Sequence, residues 1–150
     1  MLRQMADIPP RWLCGRRRKG CSMLNRVGFY RTGEEVIALR RLVAMPDETA
    51  VVRYLEAGES LVVTGSWADD LVDPNRKRIC QYAIQTDGVW VWPSTLPYYL
   101  VKYHTELPDE FLWHLSASGW RALTLDEATM DAVVDQFMLE ESVAPEGPDA

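Results

Sequence analysis

Apolar and polar positions along this chain change period several times, and each change marks an element. The short apolar run Arg26-Val27-Gly28-Phe29-Tyr30 reads as a strand ended by Thr32-Gly33. Between Glu34 and Ala44 the apolar residues Val36, Ile37, Leu39, Leu42 and Val43 satisfy neither the helical nor the extended period, and both readings stay open. Val51, Val52, Tyr54 and Leu55 then share one helical face, with Asp47 placed to cap that helix and Gly58 standing at its C′ position. Ser60 to Thr64 reads as a strand, and Trp67 to Val72 as a short helix halted by Asp73-Pro74-Asn75.

Lys77 to Trp92, rich in β-branched and aromatic residues, reads as a hairpin about Asp87-Gly88. Asp-Gly suits a two-residue hairpin turn, where both central residues take positive φ. Such a turn pairs Thr86 with Val89, Ile84 with Val91 and Ala83 with Trp92. It sends Tyr82, Ile84, Val89 and Val91 to one face, and Gln81, Gln85, Trp90 and Trp92 to the other. The first face is the better candidate for the core. The two tryptophans then need either a covering helix or a partner.

Helical spacing resumes with Leu96, Leu100 and Tyr103, behind a Ser94 cap and with Pro97 in the first turn. Pro108, Asp109 and Glu110 open a further helix that carries Phe111 and Leu115 and closes at Gly119. Thr124-Leu125-Asp126-Glu127 has the form of a capping box, and the helix behind it buries Leu125, Ala128, Ala132, Val133 and Phe137. These elements predict an α+β fold: a small antiparallel sheet with a central Asp-Gly hairpin and helices packed on one face.

Charge divides the chain further. Residues 1–22 carry six Lys/Arg against Asp7 alone, a balance of +5, whereas residues 23–150 hold ten against twenty-one Asp/Glu, a balance of −11. The first segment holds Arg16-Arg17-Arg18-Lys19 and has no periodicity, so residues 1–22 read as a disordered basic arm upstream of a native start at Met23. Residues 23–139 read as a single domain and 140–150 as a flexible tail. Cys14, Cys21 and Cys80 are an odd number without metal-ligand spacing, as expected for unpaired thiols in a reducing cytoplasm. No apolar run is long enough for a membrane span.

Motifs for chemistry are sparse. His104 and His114 stand ten residues apart with no ligand partner at metal spacing, and no nucleophile elbow or phosphate-binding glycine loop is present. The expectation is therefore no catalytic residues, no metal and no cofactor. An acidic body with few cations among its aromatics also argues against nucleic-acid stacking, except through the basic arm. Asp69, Asp70 and Asp73 form the densest carboxylate cluster, and tryptophan and tyrosine are the residues that anchor protein interfaces.

The string Thr86-Asp87-Gly88-Val89-Trp90-Val91-Trp92-Pro93, followed by Tyr103-His104 and Leu107-Pro108-Asp109-Glu110-Phe111, resembles a group of small actinobacterial proteins without assigned activity. In general shape that group is similar to the small acidic immunity proteins of bacterial polymorphic toxin systems. The resemblance implies a cytoplasmic, non-enzymatic module that occludes a basic protein such as a nuclease toxin. In that reading Asp69, Asp70 and Asp73 steer the encounter, while Trp90, Trp92 and Tyr98 anchor it. The alternative is a small enzyme or ligand-binding domain with an aromatic pocket near Trp90, Tyr99 and His104.

Overall fold

A computed structural model describes residues 24–122 and 124–143. The chain divides into two compact units. The larger, Asn25–Leu125, holds β1 (Asn25–Arg26), α1 (Gly33–Leu39), α2 (Glu48–Glu56), β2 (Glu59–Ala68), β3 (Cys80–Thr86), β4 (Trp90–Pro93), α3 (Leu96–Tyr103) and α4 (Asp109–Ala117). The other, as described, comprises Leu24 and the segment from Asp126, with α5 (Glu127–Val143). The fold is α+β, and its four-stranded sheet has the order β1-β4-β3-β2. The sheet is mixed: β1 runs parallel to β4, and the other pairs are antiparallel. The basic arm and residues 144–150 lie outside the described residues.

Reciprocal capping decides the ambiguous segment after Thr32. The Thr32 hydroxyl accepts from the Glu35 N–H at 3.3 Å, and the Glu35 carboxylate accepts from the Arg31 N–H at 2.5 Å. The resulting helix stops at Leu39 because Arg40 turns extended, which leaves Leu42 and Val43 outside it. The run expected as a strand over Arg26–Tyr30 is shorter, Asn25–Arg26, and its hydrogen bonds to β4 end at Val27. Asp47 precedes α2 without a side-chain capping bond, and the helix holds instead through the buried face of Val51, Tyr54 and Leu55.

Beyond Gly58 the strand β2 is twice the expected length, and the helix expected over Trp67–Val72 does not form. Trp67 and Ala68 pair with Gln81 and Cys80 as the end of β2. A bulge makes this possible: between the Val63–Ala83 and Trp67–Gln81 pairs, β2 has more residues than β3. Gly65 adopts φ +80° within the bulge, and the Thr64 hydroxyl fastens it by bonding Ser66 N–H and the Tyr82 carbonyl.

The link between β3 and β4 also differs from a two-residue turn. Thr86 pairs with Val91, Gln85 with Trp92 and Ile84 with Pro93, a register two residues away from the expected one. The cause is the Asp87 side chain, whose Oδ1 accepts from both Val89 N–H and Trp90 N–H at 2.9 Å and so lengthens the loop. An even shift preserves which residues share a face. Both faces enter the core, however, and Val91 on the expected face is fully buried. Trp92 is fully buried and Trp90 nearly so, while Tyr82 and Ile84 are only half-buried.

Both tryptophans are covered by helices. Trp92 packs against Tyr54 of α2 and Phe111 of α4, and its indole N–H donates to the Leu55 carbonyl at 3.2 Å. Trp90 lies 4.9 Å from Phe111, ring centre to ring centre. A second cluster joins Val36 to Tyr99 and Tyr103, with Tyr30, Tyr98 and Val72 around it. Ser94 does not cap α3: its hydroxyl donates to the Gln81 carbonyl and accepts from Ala83 N–H, and Thr95 holds the N-cap position. At α5 the cap is Asp126, which accepts from Thr129 N–H at 2.7 Å, two residues later than the expected Thr124. Helix α5 runs on to Val143, into the segment expected to be tail.

Candidate functional site

Asp70 is the most heavily bonded side chain in the loop between β2 and β3. It is buried, with 4% exposure. Oδ1 accepts from the Val72 and Asp73 N–H groups at 2.7 and 3.0 Å. Oδ2 accepts from the hydroxyls of Tyr98 and Tyr103 at 2.6 and 2.8 Å. Burial alone would raise the carboxyl pKa, but these four bonds outweigh it and hold the group below its ordinary range. In return, burial and the carboxylate's hydrogen bond push Tyr103 up to about 12, and Tyr98 rises for the same reasons. Tyr99 completes the junction by accepting from Leu71 N–H at 2.9 Å. The arrangement fastens the loop to α3 and leaves Asp70 no open face for a partner or a substrate.

Asp87 organises a second junction. While Oδ1 holds the turn, Oδ2 accepts the Tyr54 hydroxyl and stands 2.8 Å from His114 Nε2. Burial pushes Asp87 upward, and the hydrogen bond and charge of His114, with the Trp90 N–H and Tyr54, bring it below the usual carboxylate range. Tyr54 moves the other way, raised by its own burial and by the adjacent carboxylate. Three elements therefore meet at one carboxylate: the β3–β4 loop, α2 through Tyr54 and α4 through His114. Sequence reading took Asp87 as a turn residue alone and missed its two distant partners, which no local spacing reveals.

The residues expected at an interface are scattered among these roles. Trp90 and Trp92 lie in the core, so neither can anchor a partner; the helices α2 and α4 supply the apolar surface that covers them. Asp70 is interior and Tyr98 is half-buried against it. Asp69 and Asp73 are more accessible, but Asp69 faces Lys77 at 3.6 Å and Asp73 faces Arg76 at 3.8 Å. For the pocket alternative, Trp90 belongs to the Phe111 cluster and Tyr99 to the tyrosine cluster. His104 instead closes α3 with φ 51° and sets Nδ1 2.7 Å from Glu48 Oε2. The three side chains thus take part in separate contacts.

Exposed apolar side chains occur elsewhere. Val63 and Trp67 stand on one face of the edge strand β2, with the Arg78 guanidinium 4.5 Å from the Trp67 ring centre. Leu42 and Val43 project beside a groove of about 640 Å³ whose walls include Arg40, Met45, Glu106 and Leu112. On α5, Met138 and Leu139 are more than half exposed. At 3.6 residues per turn they share about a third of the helix circumference with Glu127, Asp131 and Asp135. Helix α5 contains no Lys or Arg.

Among the described residues no group of three or more His, Cys, Asp or Glu side chains is placed to hold a metal ion. No described helix is long and apolar enough to cross a membrane. No family model matches the chain, and neither does any curated protein or solved structure.

Proposed function

We propose that this chain is a non-enzymatic acidic module that docks a basic protein, of the immunity type that its sequence resembles, with α5 as the docking element. The observation that carries this reading is the outward sector of α5. Glu127, Asp131 and Asp135 flank the exposed Met138 and Leu139 on a helix without a single cation. Exposed apolar side chains interspersed with one sign of charge suit a surface of opposite sign: the carboxylates accelerate and orient the encounter, and the apolar residues hold the complex once water is expelled. The balance of −11 over residues 23–150 adds a long-range field of the same sign.

Trp90, Trp92 and Asp70 drop out of the docking surface, and Met138 and Leu139 take the anchoring role. The test is binding to purified basic nucleases of bacterial toxin systems, measured by surface plasmon resonance. Asp131→Lys combined with Asp135→Lys slows association and flattens its salt dependence, whereas Met138→Ala mainly speeds dissociation. Unchanged kinetics in both variants, or no binding by the intact chain, sinks the reading.

A further inference from the structure

Trp67 and Arg78 form an exposed pair at the outer edge of the sheet, and four observations set it apart. The Trp67 indole is 47% exposed and Val63, on the same face, is 64% exposed. Arg78 lies over the indole ring at 4.5 Å. Its backbone has φ 53°, a left-handed conformation that non-glycine residues rarely adopt, and its N–H is held by Asp69 Oδ1 at 2.9 Å. Finally, the neighbouring cations are each matched to a carboxylate, Lys77 to Asp69 and Arg76 to Asp73, while the Arg78 guanidinium has no ion pair among the described residues.

We propose that Trp67 and Arg78 form a docking platform for a short peptide segment of a partner protein that places a carboxylate beside a large apolar side chain. A guanidinium seated over an indole and outside any ion pair among the described residues keeps donors for a carboxylate, which a guanidinium grips through two parallel hydrogen bonds. Trp67 and Val63 supply apolar area next to that charge. An uncompensated cation on a chain of net charge −6 is complementary to one anionic group, whereas a polyphosphate chain meets repulsion from the acidic body. The register irregularities of β2, between Ser60 and Val62 and between Val63 and Trp67, interrupt its outer edge. They work against a long added strand, so the segment docks through side chains. This platform and the α5 surface select opposite charges, and either can fail without the other.

The test pans a displayed library of random peptides on the intact chain, then measures synthetic copies of the enriched sequences by fluorescence anisotropy. Arg78→Gly removes the guanidinium while relaxing the left-handed backbone, so any loss of binding is not a loss of folding; urea unfolding verifies this. The platform requires enriched peptides that pair Asp, Glu or a C-terminal carboxylate with an aromatic or aliphatic residue. It also requires binding to weaken about tenfold in Arg78→Gly and in Trp67→Ala. Arg78→Lys, which loses the fork and the stacking, also weakens it. Enriched peptides without a carboxylate, equal binding to Arg78→Gly, or no enrichment overturns the proposal. So does a 20-nucleotide oligothymidylate that binds the chain and loses that binding in Arg78→Gly, since the platform would then serve nucleic acid.

Discussion

The Trp92 indole occupies the space that a side chain at Gly58 would need. A Cβ at residue 58 would stand 2.5 Å from Trp92 Cζ2. Trp92 is fully buried and tethered through its indole N–H to the Leu55 carbonyl, so the ring has little room to yield. The sequence position suggested a glycine chosen for its backbone freedom after α2, and the close approach of the ring is the stronger reason.

Gly58→Ala is therefore expected to destabilise the fold by about 1–3 kcal/mol, the range for overpacking a tight interior. Gly65→Ala is the contrast. No atom lies within 4 Å of its would-be Cβ, so only the strain of φ +80° opposes it, about 1 kcal/mol. Urea unfolding followed by tryptophan fluorescence separates the two. If Gly65→Ala costs more than Gly58→Ala, the close-approach argument fails.

Asp70 accepts four hydrogen bonds while nearly inaccessible to water. Asp70→Ala strands those donors and is expected to cost about 3 kcal/mol. The pH dependence has a definite sign. Asp70 and Asp87 are held below their ordinary values in the fold and return to about 3.9 on unfolding. The stability they contribute is complete above that value and drains away as pH falls through the folded values. Asp70→Asn should flatten the acid limb of a stability–pH curve. On the alkaline side Tyr103 is raised to about 12, so its contribution is complete below about pH 10 and is lost as pH climbs toward 12. Tyr103→Phe should shallow that limb, and an unchanged limb would contradict the assignment.

Most elements and the sharing of faces were readable in the residues; the far end of β2, the register and the depth of burial were not. Alternation through Gln81–Thr86 and Trp90–Trp92 placed Gln85 and Trp92 on a common face, and the structure keeps them there. It could not tell that Asp87 would use its side chain to stretch the loop, since the shift comes from bonds to Val89 and Trp90 and not from φ preferences. Burial of the tryptophans depends on Tyr54, Leu55 and Phe111, which arrive from helices far along the chain. Trp67 was assigned to a helix because the bulge interrupts the strand period. The isolated Gly65 between Thr64 and Ser66 was the local sign of that bulge. As for the platform, the four-residue run from Asn75 to Arg78 gives no hint of which cation remains unmatched.

The Asp87–His114 contact offers a prediction about coupling. With Asp87 at 5% exposure and His114 Nε2 at 2.8 Å, removing the imidazole leaves a buried carboxylate short of one partner. His114→Ala and Asp87→Ala are each expected to destabilise strongly, and the double variant by less than their sum. A coupling of about 2 kcal/mol would fit groups that share one network. Denaturant unfolding of the four proteins measures it, and strict additivity would mean the two side chains act independently.

Backbone strain at Arg78 can be weighed separately from its guanidinium. In the left-handed region a residue with a Cβ costs about 1–2 kcal/mol relative to its ordinary conformation. Glycine avoids that cost, although its freer unfolded chain returns about 0.5–1 kcal/mol of the gain. Arg78→Ala retains the strain and loses the stacking on Trp67, about 0.5 kcal/mol at an exposed site. Arg78→Gly loses the same stacking and sheds the strain. The expected order of stability therefore puts glycine above alanine at position 78 by roughly 0.5 kcal/mol, the reverse of their order inside a regular strand. Urea midpoints of the two variants decide it. Alanine equal to or above glycine would mean that residue 78 is not held left-handed in solution, and the fixed presentation of its guanidinium over Trp67 would fall with it.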